Sequence, residues 1–405
     1  MTTVAEAFQI VLATKIALER EEVALSDSLG KILQEDIFAD RDFPPFNRVT
    51  MDGIALNFSQ WDIERKPLQV EGIQKAGEAQ KQLQNSQNCL EVMTGAVLPE
   101  NTDTVVKYED IEIININEEK FAKIYALNIK QGQNIHKQGK DRKKGDTLLR
   151  SGTKISSAEI AVAATVGKGR LMVMKQPKIA VISTGDELVE VNQTPLPHQI
   201  RKSNSYSLKA SLREIGLECD LYHISDNKEK IYHTLSSLFV NYQVIILSGG
   251  VSMGKADFIP QVLQQLKVEK LFHKILQRPG KPFWFGKSQH ENIVFAFPGN
   301  PVSTYLCFYR YFKPWFLNII GQYVQKEIMA ELEEDVVFDA PLTYFIQVKV
   351  RIDKGKIYAF PFTGHGSGDF ANLLLCDGFL ELSAERSEFK AGELYPLFLY
   401  RNILH

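Results

Sequence analysis

The chain has 405 residues, 44% apolar and 24% charged, with 47 Lys and Arg against 49 Asp and Glu and a formal net charge of −2. This is the composition of an ordinary globular protein of roughly two to four domains, and so even a charge balance excludes a global basic surface for nucleic acid. No apolar run approaches membrane-spanning length, and residues 1–17 lack the apolar stretch of a secretion signal. The four cysteines, Cys89, Cys219, Cys307 and Cys376, are too far apart for metal or redox spacing. They read as reduced, mostly buried thiols, and the expected location is the cytoplasm. No HExxH occurs among the eight histidines, which argues against a histidine-bound zinc.

Val4, Ala7, Phe8, Val11, Leu12 and Ile16 recur at helical spacing and predict a helix over residues 4–18, with a second short one over 28–32. Asp42-Phe43-Pro44-Pro45-Phe46 stops the helical pattern and marks a domain boundary. Residues 47–140 carry frequent turn signals between short strands such as 105–108 and 121–129, which predicts a small barrel or sandwich. A helix follows over 157–167. From about 176 to 320 strands alternate with helices. The strands are 178–183, 218–224, 243–247, 271–276 and 292–297, and the helices 203–215, 227–238, 256–266 and 302–316. That alternation implies a mainly parallel, doubly wound sheet. Residues 327–405 turn back to β, with a hairpin of 343–352 and 357–361 around Asp353-Lys354-Gly355-Lys356.

The segment from Ser248 to Asp257 is the most informative. It joins a buried strand to a helix through Gly249, Gly250 and Gly254, and carries one ammonium, Lys255, and one carboxylate, Asp257. Such a turn offers backbone N–H groups and a helix start to an anion. Ligands of doubly wound sheets bind beyond the carboxyl ends of the strands. Ser183-Thr184-Gly185-Asp186-Glu187, Ser225-Asp226-Asn227, the glycine loop and Pro298-Gly299-Asn300-Pro301 all fall there. They set Asp186, Glu187, Asp226 and Asp257 on one rim, although Asp186 and Asp226 each also read as helix N-caps. Carboxylates around an anion loop fit a cation between them, and Mg²⁺ takes one or two carboxylates with phosphate oxygens and water. Arg278-Pro279-Gly280-Lys281-Pro282 supplies basic charge on a stiff loop; its plainer reading is a Pro-Gly turn with a solvated lysine. Upstream lie Asp52 in Met51-Asp52-Gly53, Thr94 in Thr94-Gly95-Ala96, and Asp141 in a basic loop that otherwise reads as a solvated face. Tyr108, Phe43 and Phe46 read as packing residues.

Met51-Asp52-Gly53, Thr94-Gly95-Ala96, Ser183 to Leu188, Ser248 to Ser252, Pro279 to Pro282 and Pro298 to Pro301 occur in an order that resembles the molybdopterin molybdenumtransferases, the MoeA and gephyrin E-domain family. The resemblance covers nearly the whole chain. It implies a multidomain α/β and β subunit: a linking domain of residues 1–46 and 141–175, an inserted β domain of 47–140, a central doubly wound α/β molybdopterin-binding domain of 176–322 and a C-terminal β domain of 323–405. It implies a homodimer whose cleft lies between the α/β domain of one subunit and the inserted domain of the other. The implied substrates are adenylylated molybdopterin and molybdate, with Mg²⁺ as cofactor. AMP leaves and the dithiolene takes molybdenum. A molybdopterin adenylyltransferase would act upstream and apo-molybdoenzymes downstream, with no part for nucleic acid or membrane. Asp52, Thr94, Asp141, Glu187, Asp226 and Asp257 match positions tied to activity. Ser248, Gly249, Gly250, Ser252, Arg278, Lys281, Pro298, Asn300, Pro301 and Ser367 are the expected substrate contacts. On physical grounds Glu187 or Asp257 would hold the metal, and Asp226 would orient water or molybdate.

Three departures from the family pattern stand out. Ile54 replaces a frequent tyrosine, Arg48 a small polar residue, and Ala371-Asn372 a serine pair. Two other functions compete with metal insertion: the preceding adenylylation of molybdopterin, and a gephyrin-like scaffold without catalysis.

Overall fold

The structure is a computed structural model and describes residues 1–251, 257–324, 327–363, 366, 368–369 and 371–403. The chain packs as two units, one of Met1–Val23, Gly30–Ile32 and Met172–His405, the other of Ala24–Leu29 and Leu33–Leu171. The expected helix over 28–32 is absent; the chain there makes turns, because Gly30 adopts φ +77°, which no right-handed helix accommodates. Among the described residues no helix is long and apolar enough to cross a membrane. All four cysteines are free and buried, as the sequence suggests.

The unit of residues 33–171 is built on a six-stranded sheet, ordered Thr104–Lys107, Gly53–Leu56, Cys89–Val92, Leu68–Gln74, Glu119–Ile124, Ile111–Ile116. Gly53–Leu56 is buried on both faces: Ile54 and Leu56 face the core with Trp61 and Val106, while Ala55 packs with Val49 and Val92. This is the two-residue alternation of a strand covered on both sides. Ile54 therefore fills a core. Gly53 has no substitute, since a Cβ there would lie 2.0 Å from the Val106 carbonyl oxygen. A second, two-stranded ladder pairs Arg48–Val49 antiparallel with Ile135–His136. Helix Ser157–Thr165 opens on a capping box made by Ser156 and Glu159.

The other unit centres on a six-stranded sheet ordered Asp220–Ile224, Ile179–Thr184, Val244–Ser248, Ile293–Phe297, Trp284–Lys287, Glu269–His273. The first four strands are parallel; Trp284–Lys287 runs antiparallel to both of its neighbours, and Glu269–His273, in the direction of the first four, forms the edge. The three inner parallel strands are wholly buried, as a sheet covered by helices on both faces requires. Ile179, Val181, Val244 and Ile246 face one core; Ala180, Ile182, Ile245 and Leu247 face the other. Strand Trp284–Lys287 is missing from the sequence reading, which names no element between residues 276 and 292. The helix expected over 302–316 is Pro301–Cys307, a π turn over Phe308–Phe312, and Lys313–Ile319. The wide turn sits where Pro314 removes a backbone donor.

The 343–352 and 357–361 hairpin forms as Thr343–Asp353 with Lys356–Phe362, turning where Asp353 meets Lys356. With Ile328–Leu332, Leu394–Leu399 and Gly378–Leu382 these strands make a ring that the pairing of Gly378–Leu382 back onto Thr343–Asp353 closes. Its interior is filled by Leu332, Ile346, Val348, Leu380, Phe389 and Leu397. Gln277–Arg278 adds to this barrel, in parallel with Thr343–Asp353, and so ties the loop of Arg278 to Pro282 to the C-terminal sheet.

Candidate active site

A cavity of about 990 Å³ opens at the carboxyl ends of the parallel strands, where a doubly wound sheet leaves unpaired strand ends and helix starts for a ligand. Its walls include Thr184, Gly185 and Glu187 after the first strand of the domain, Asp226 after the next, and Ser248, Gly249, Gly250 and Asp257 around the glycine loop. Pro298, Gly299, Asn300 and Pro301 close one side. Ser252, Lys255 and Ser367 lie outside the described residues. Among the described residues the lining holds Pro282 but neither Arg278 nor Lys281. The Arg278 guanidinium instead stacks over the Phe338 ring, 5.7 Å from its centroid, and Lys281 is exposed. Buried Gln277 braces this loop by donating to the Pro279 carbonyl (3.0 Å) and accepting from the Tyr311 hydroxyl.

The glycine loop has that composition for a steric reason. Gly249 and Gly250 have φ of +102° and +66°, a region open to glycine and strained for other residues. A Cβ on Gly249 would lie 2.8 Å from Thr184 Oγ1 and 2.9 Å from the Thr184 carbonyl oxygen. The loop is anchored at both sides: Gly249 N–H donates to the Phe297 carbonyl (3.2 Å), and His273 Nε2 donates to the Val251 carbonyl (3.1 Å). Burial holds His273 below the ordinary histidine range, so it stays neutral and serves as a structural donor. The Thr184 hydroxyl is buried and has no hydrogen-bond partner among the described residues.

Asp226 is not a helix cap. Asn227 takes that place, its Oδ1 accepting from the N–H groups of Glu229 (3.1 Å) and Lys230 (3.0 Å). Asp186 instead accepts from the Asp226 N–H at 3.2 Å, which draws the two acids together. Burial, and then the charges of Asp186, Glu187 and Asp257, push the Asp226 carboxyl above its ordinary range. A site that so disfavours one more negative charge suits a cation. Among the described residues no three His, Cys, Asp or Glu side chains form a ready metal nest. Mg²⁺ does not require one, since phosphate and water supply most of its ligands.

Asn204 and Lys202 are among the polar residues at this cavity that escape the sequence reading. Asn204, at the start of helix Asn204–Glu214, donates from Nδ2 to Ser248 Oγ (2.8 Å) and to the Gly299 carbonyl (2.7 Å). It thereby joins the glycine loop to the Pro298–Pro301 turn. Lys202, almost covered, pairs with Glu190 and lines the cavity. The only sequence signal for either is a polar residue at a helix entry.

The other unit carries Asp52, Thr94 and Asp141. The Gly53↔Val92 pairing sets Asp52 and Thr94 at adjoining strand ends. Asp52 Oδ1 accepts from the Thr94 N–H (2.6 Å) and from its hydroxyl (2.7 Å). These two bonds, the N–H first, hold the Asp52 carboxyl below the ordinary aspartate range. Tyr108, read as packing, donates its hydroxyl to Glu91 at 2.7 Å. Asp141 Oδ1 lies 2.9 Å from His136 Nε2, and His136 Nδ1 lies 3.2 Å from Arg48 Nη2; neither Arg48 nor His136 was expected to act with Asp141.

Comparison with known proteins places this geometry in a family. Three family models match in sequence: "MoeA N-terminal region (domain I and II)" over residues 2–167, "Probable molybdopterin binding domain" over 180–318, and "MoeA C-terminal region (domain IV)" over 329–398. A molybdopterin molybdenumtransferase of Synechocystis sp. is 38% identical across 99% of this chain and 100% of its own. One of Bacillus subtilis is 32% identical over 95% and 90%. A crystal structure of a molybdopterin biosynthesis MoeA protein from Pyrococcus horikosii superposes with a TM-score of 0.85 at 30% identity, over 99% of this chain and 100% of that one. The chain belongs to the MoeA family of molybdopterin molybdenumtransferases, transferases of molybdenum cofactor biosynthesis.

Proposed function

We propose that this protein takes adenylylated molybdopterin and molybdate as substrates, splits the adenylate so that AMP leaves, and delivers molybdenum to the pterin dithiolene. The observation that carries the reading is a single cavity at the sheet edge, walled by Gly249 and Gly250, by Glu187, Asp226 and Asp257, and by the Pro298–Pro301 turn. Phosphoryl cleavage asks a protein mainly for positioning and charge neutralisation. The Gly250 N–H would hold a phosphate oxygen, the Gly249 N–H being committed to the Phe297 carbonyl. Asp226, with its carboxyl held towards the neutral form, would hold or move a proton at the attacking water. Water adds to the AMP phosphorus as the bridging oxygen departs with the pterin phosphate, so AMP leaves; the two dithiolene thiols would then displace one molybdate oxygen as water, and the products are AMP and molybdenum-bound molybdopterin. Glu187 and Asp257 would hold Mg²⁺, whose contribution is to neutralise phosphate charge.

Asp52, Thr94 and Asp141 are assigned to the same reaction, as are Ser252, Arg278, Lys281 and Ser367 to substrate contact, on the strength of the matching motifs. The active form would be a homodimer that receives substrate from an adenylyltransferase and passes product to apo-molybdoenzymes. Catalysis is favoured over a scaffold role because the carboxylates are gathered around a cavity. The test is to mix the protein with adenylylated molybdopterin and Mg²⁺, with and without molybdate. AMP release that depends on molybdate and reactivates a cofactor-free molybdoenzyme supports insertion. Consumption of ATP with accumulation of the adenylylated pterin would instead identify the adenylylating enzyme.

A further inference from the structure

We propose that Arg48 and His136 are positioning residues that fix the Asp141 carboxylate as a hydrogen-bond acceptor. The proposal rests on the reading of Asp141 as a functional carboxylate. The structure gives Arg48 a task. The ladder of Arg48–Val49 with Ile135–His136 pairs Arg48 directly with His136, and directly paired residues present their side chains on one face. Arg48 Nη2 then meets His136 Nδ1 at 3.2 Å, and His136 Nε2 meets Asp141 Oδ1 at 2.9 Å.

Donor counting sets the proton. A guanidinium carries only N–H donors and keeps its charge, so Nδ1 must be the acceptor. The ring proton therefore sits on Nε2, which donates to the carboxylate. With Arg48 absent Nδ1 loses its donor, the ring is free to turn, and the Nε2–H is no longer aimed at the Asp141 oxygen. Arg48 thus acts on Asp141 through the imidazole. The Asp141 backbone is held as well: its N–H donates to the Phe43 carbonyl (2.9 Å), and its carbonyl accepts from Arg142 Nη1 (2.7 Å). The His136 side chain is 22% exposed and that of Asp141 54%, so the carboxylate is open to a ligand while the ring that orients it is largely covered. An acceptor so placed suits an N–H or O–H group of the substrate, or the water it activates.

Long-range ¹H–¹⁵N correlation spectra of the full chain with labelled histidine, taken at about pH 8 and assigned with His136→Gln, read the tautomer. The expected result is Nε2–H in the wild type, with the ring nitrogen shifts of His136 moved towards those of a free neutral imidazole in Arg48→Met. In AMP-release kinetics, Arg48→Met and His136→Phe are expected to lower kcat by about tenfold, within the range that misplacing a reacting group costs, with KM for the adenylylated pterin changed less than about twofold. His136→Gln, whose amide N–H and carbonyl can replace Nε2–H and Nδ1, should recover most of that loss. An Nδ1–H tautomer in the wild type overturns the proposal. So does wild-type kcat in His136→Phe when Asp141→Asn is inactive. Wild-type kcat in Asp141→Asn would instead refute the functional reading of Asp141, and the proposal with it.

Discussion

Gly249→Ala should destabilise the α/β domain by about 2–6 kcal/mol. Two costs contribute. A non-glycine residue held at φ +102° carries backbone strain of about 1–3 kcal/mol. The new methyl would sit 2.8 Å from Thr184 Oγ1 and 2.9 Å from the Thr184 carbonyl oxygen, and overpacking of that kind costs about 1–3 kcal/mol. The hydroxyl can rotate away, but the carbonyl belongs to the buried strand Ile179–Thr184 and cannot yield without moving the central sheet. Gly216→Ala is the control: its φ is +80°, but nothing lies within 4 Å of the added Cβ, so it carries strain alone, about 1–2 kcal/mol. Hydrogen exchange of the amides in Val244–Ser248, read by mass spectrometry, reports the local free energy directly. Equal losses in the two variants would refute the steric reasoning for this loop.

Thr184→Val should stabilise the ligand-free protein by about 1 kcal/mol, because it removes a buried hydroxyl that lacks a partner among the described residues; a loss of stability in chemical denaturation would show that the hydroxyl is satisfied. Thr94→Val removes one of the two donors to Asp52 Oδ1, so the Asp52 carboxyl should titrate higher by ¹³C NMR, and an unmoved midpoint would contradict the assignment. Asp52 has a depressed value, so its contribution to stability is present above the ordinary aspartate range and lost as pH falls through the lower folded-state value. Asp226 has the opposite sign: its carboxyl is raised, so its contribution is full below the ordinary range and lost as pH rises through the raised value. Mg²⁺ should move the Asp226 midpoint downward in the same NMR titration, and a midpoint indifferent to Mg²⁺ would remove the metal from this rim.

The site was legible where chemistry and local chain geometry coincide. The run Val244–Ser248 reads as a strand because a parallel sheet buries both faces, and the glycines after it mark a turn that no side chain fits. Asp226 was placed on the correct rim, yet its role as a cap stayed open until Asn227 was seen to fill that role. Partnerships between distant segments were not legible. Asn204 reaches Gly299 across 95 positions and Arg48 reaches His136 across 88, and no periodicity encodes either. Trp284–Lys287 was hidden because it is only four residues long and follows Pro282. The closure of the C-terminal sheet was hidden because it depends on Gly378–Leu382 pairing on two sides at once. Arg278 was assigned by its charge and the family resemblance, and its stacking on Phe338 is a tertiary contact that neither foresees.

The central claim is that the pterin phosphate lies against Gly249 and Gly250, beside Glu187, Asp226 and Asp257. A crystal structure of Asp257→Asn soaked with adenylylated molybdopterin and Mg²⁺ measures this most directly, because slowed turnover keeps the substrate intact. The phosphoanhydride is expected in the sheet-edge cavity, with one of its oxygens on the Gly250 N–H. Substrate bound elsewhere on the protein, with that cavity holding only water, would contradict it.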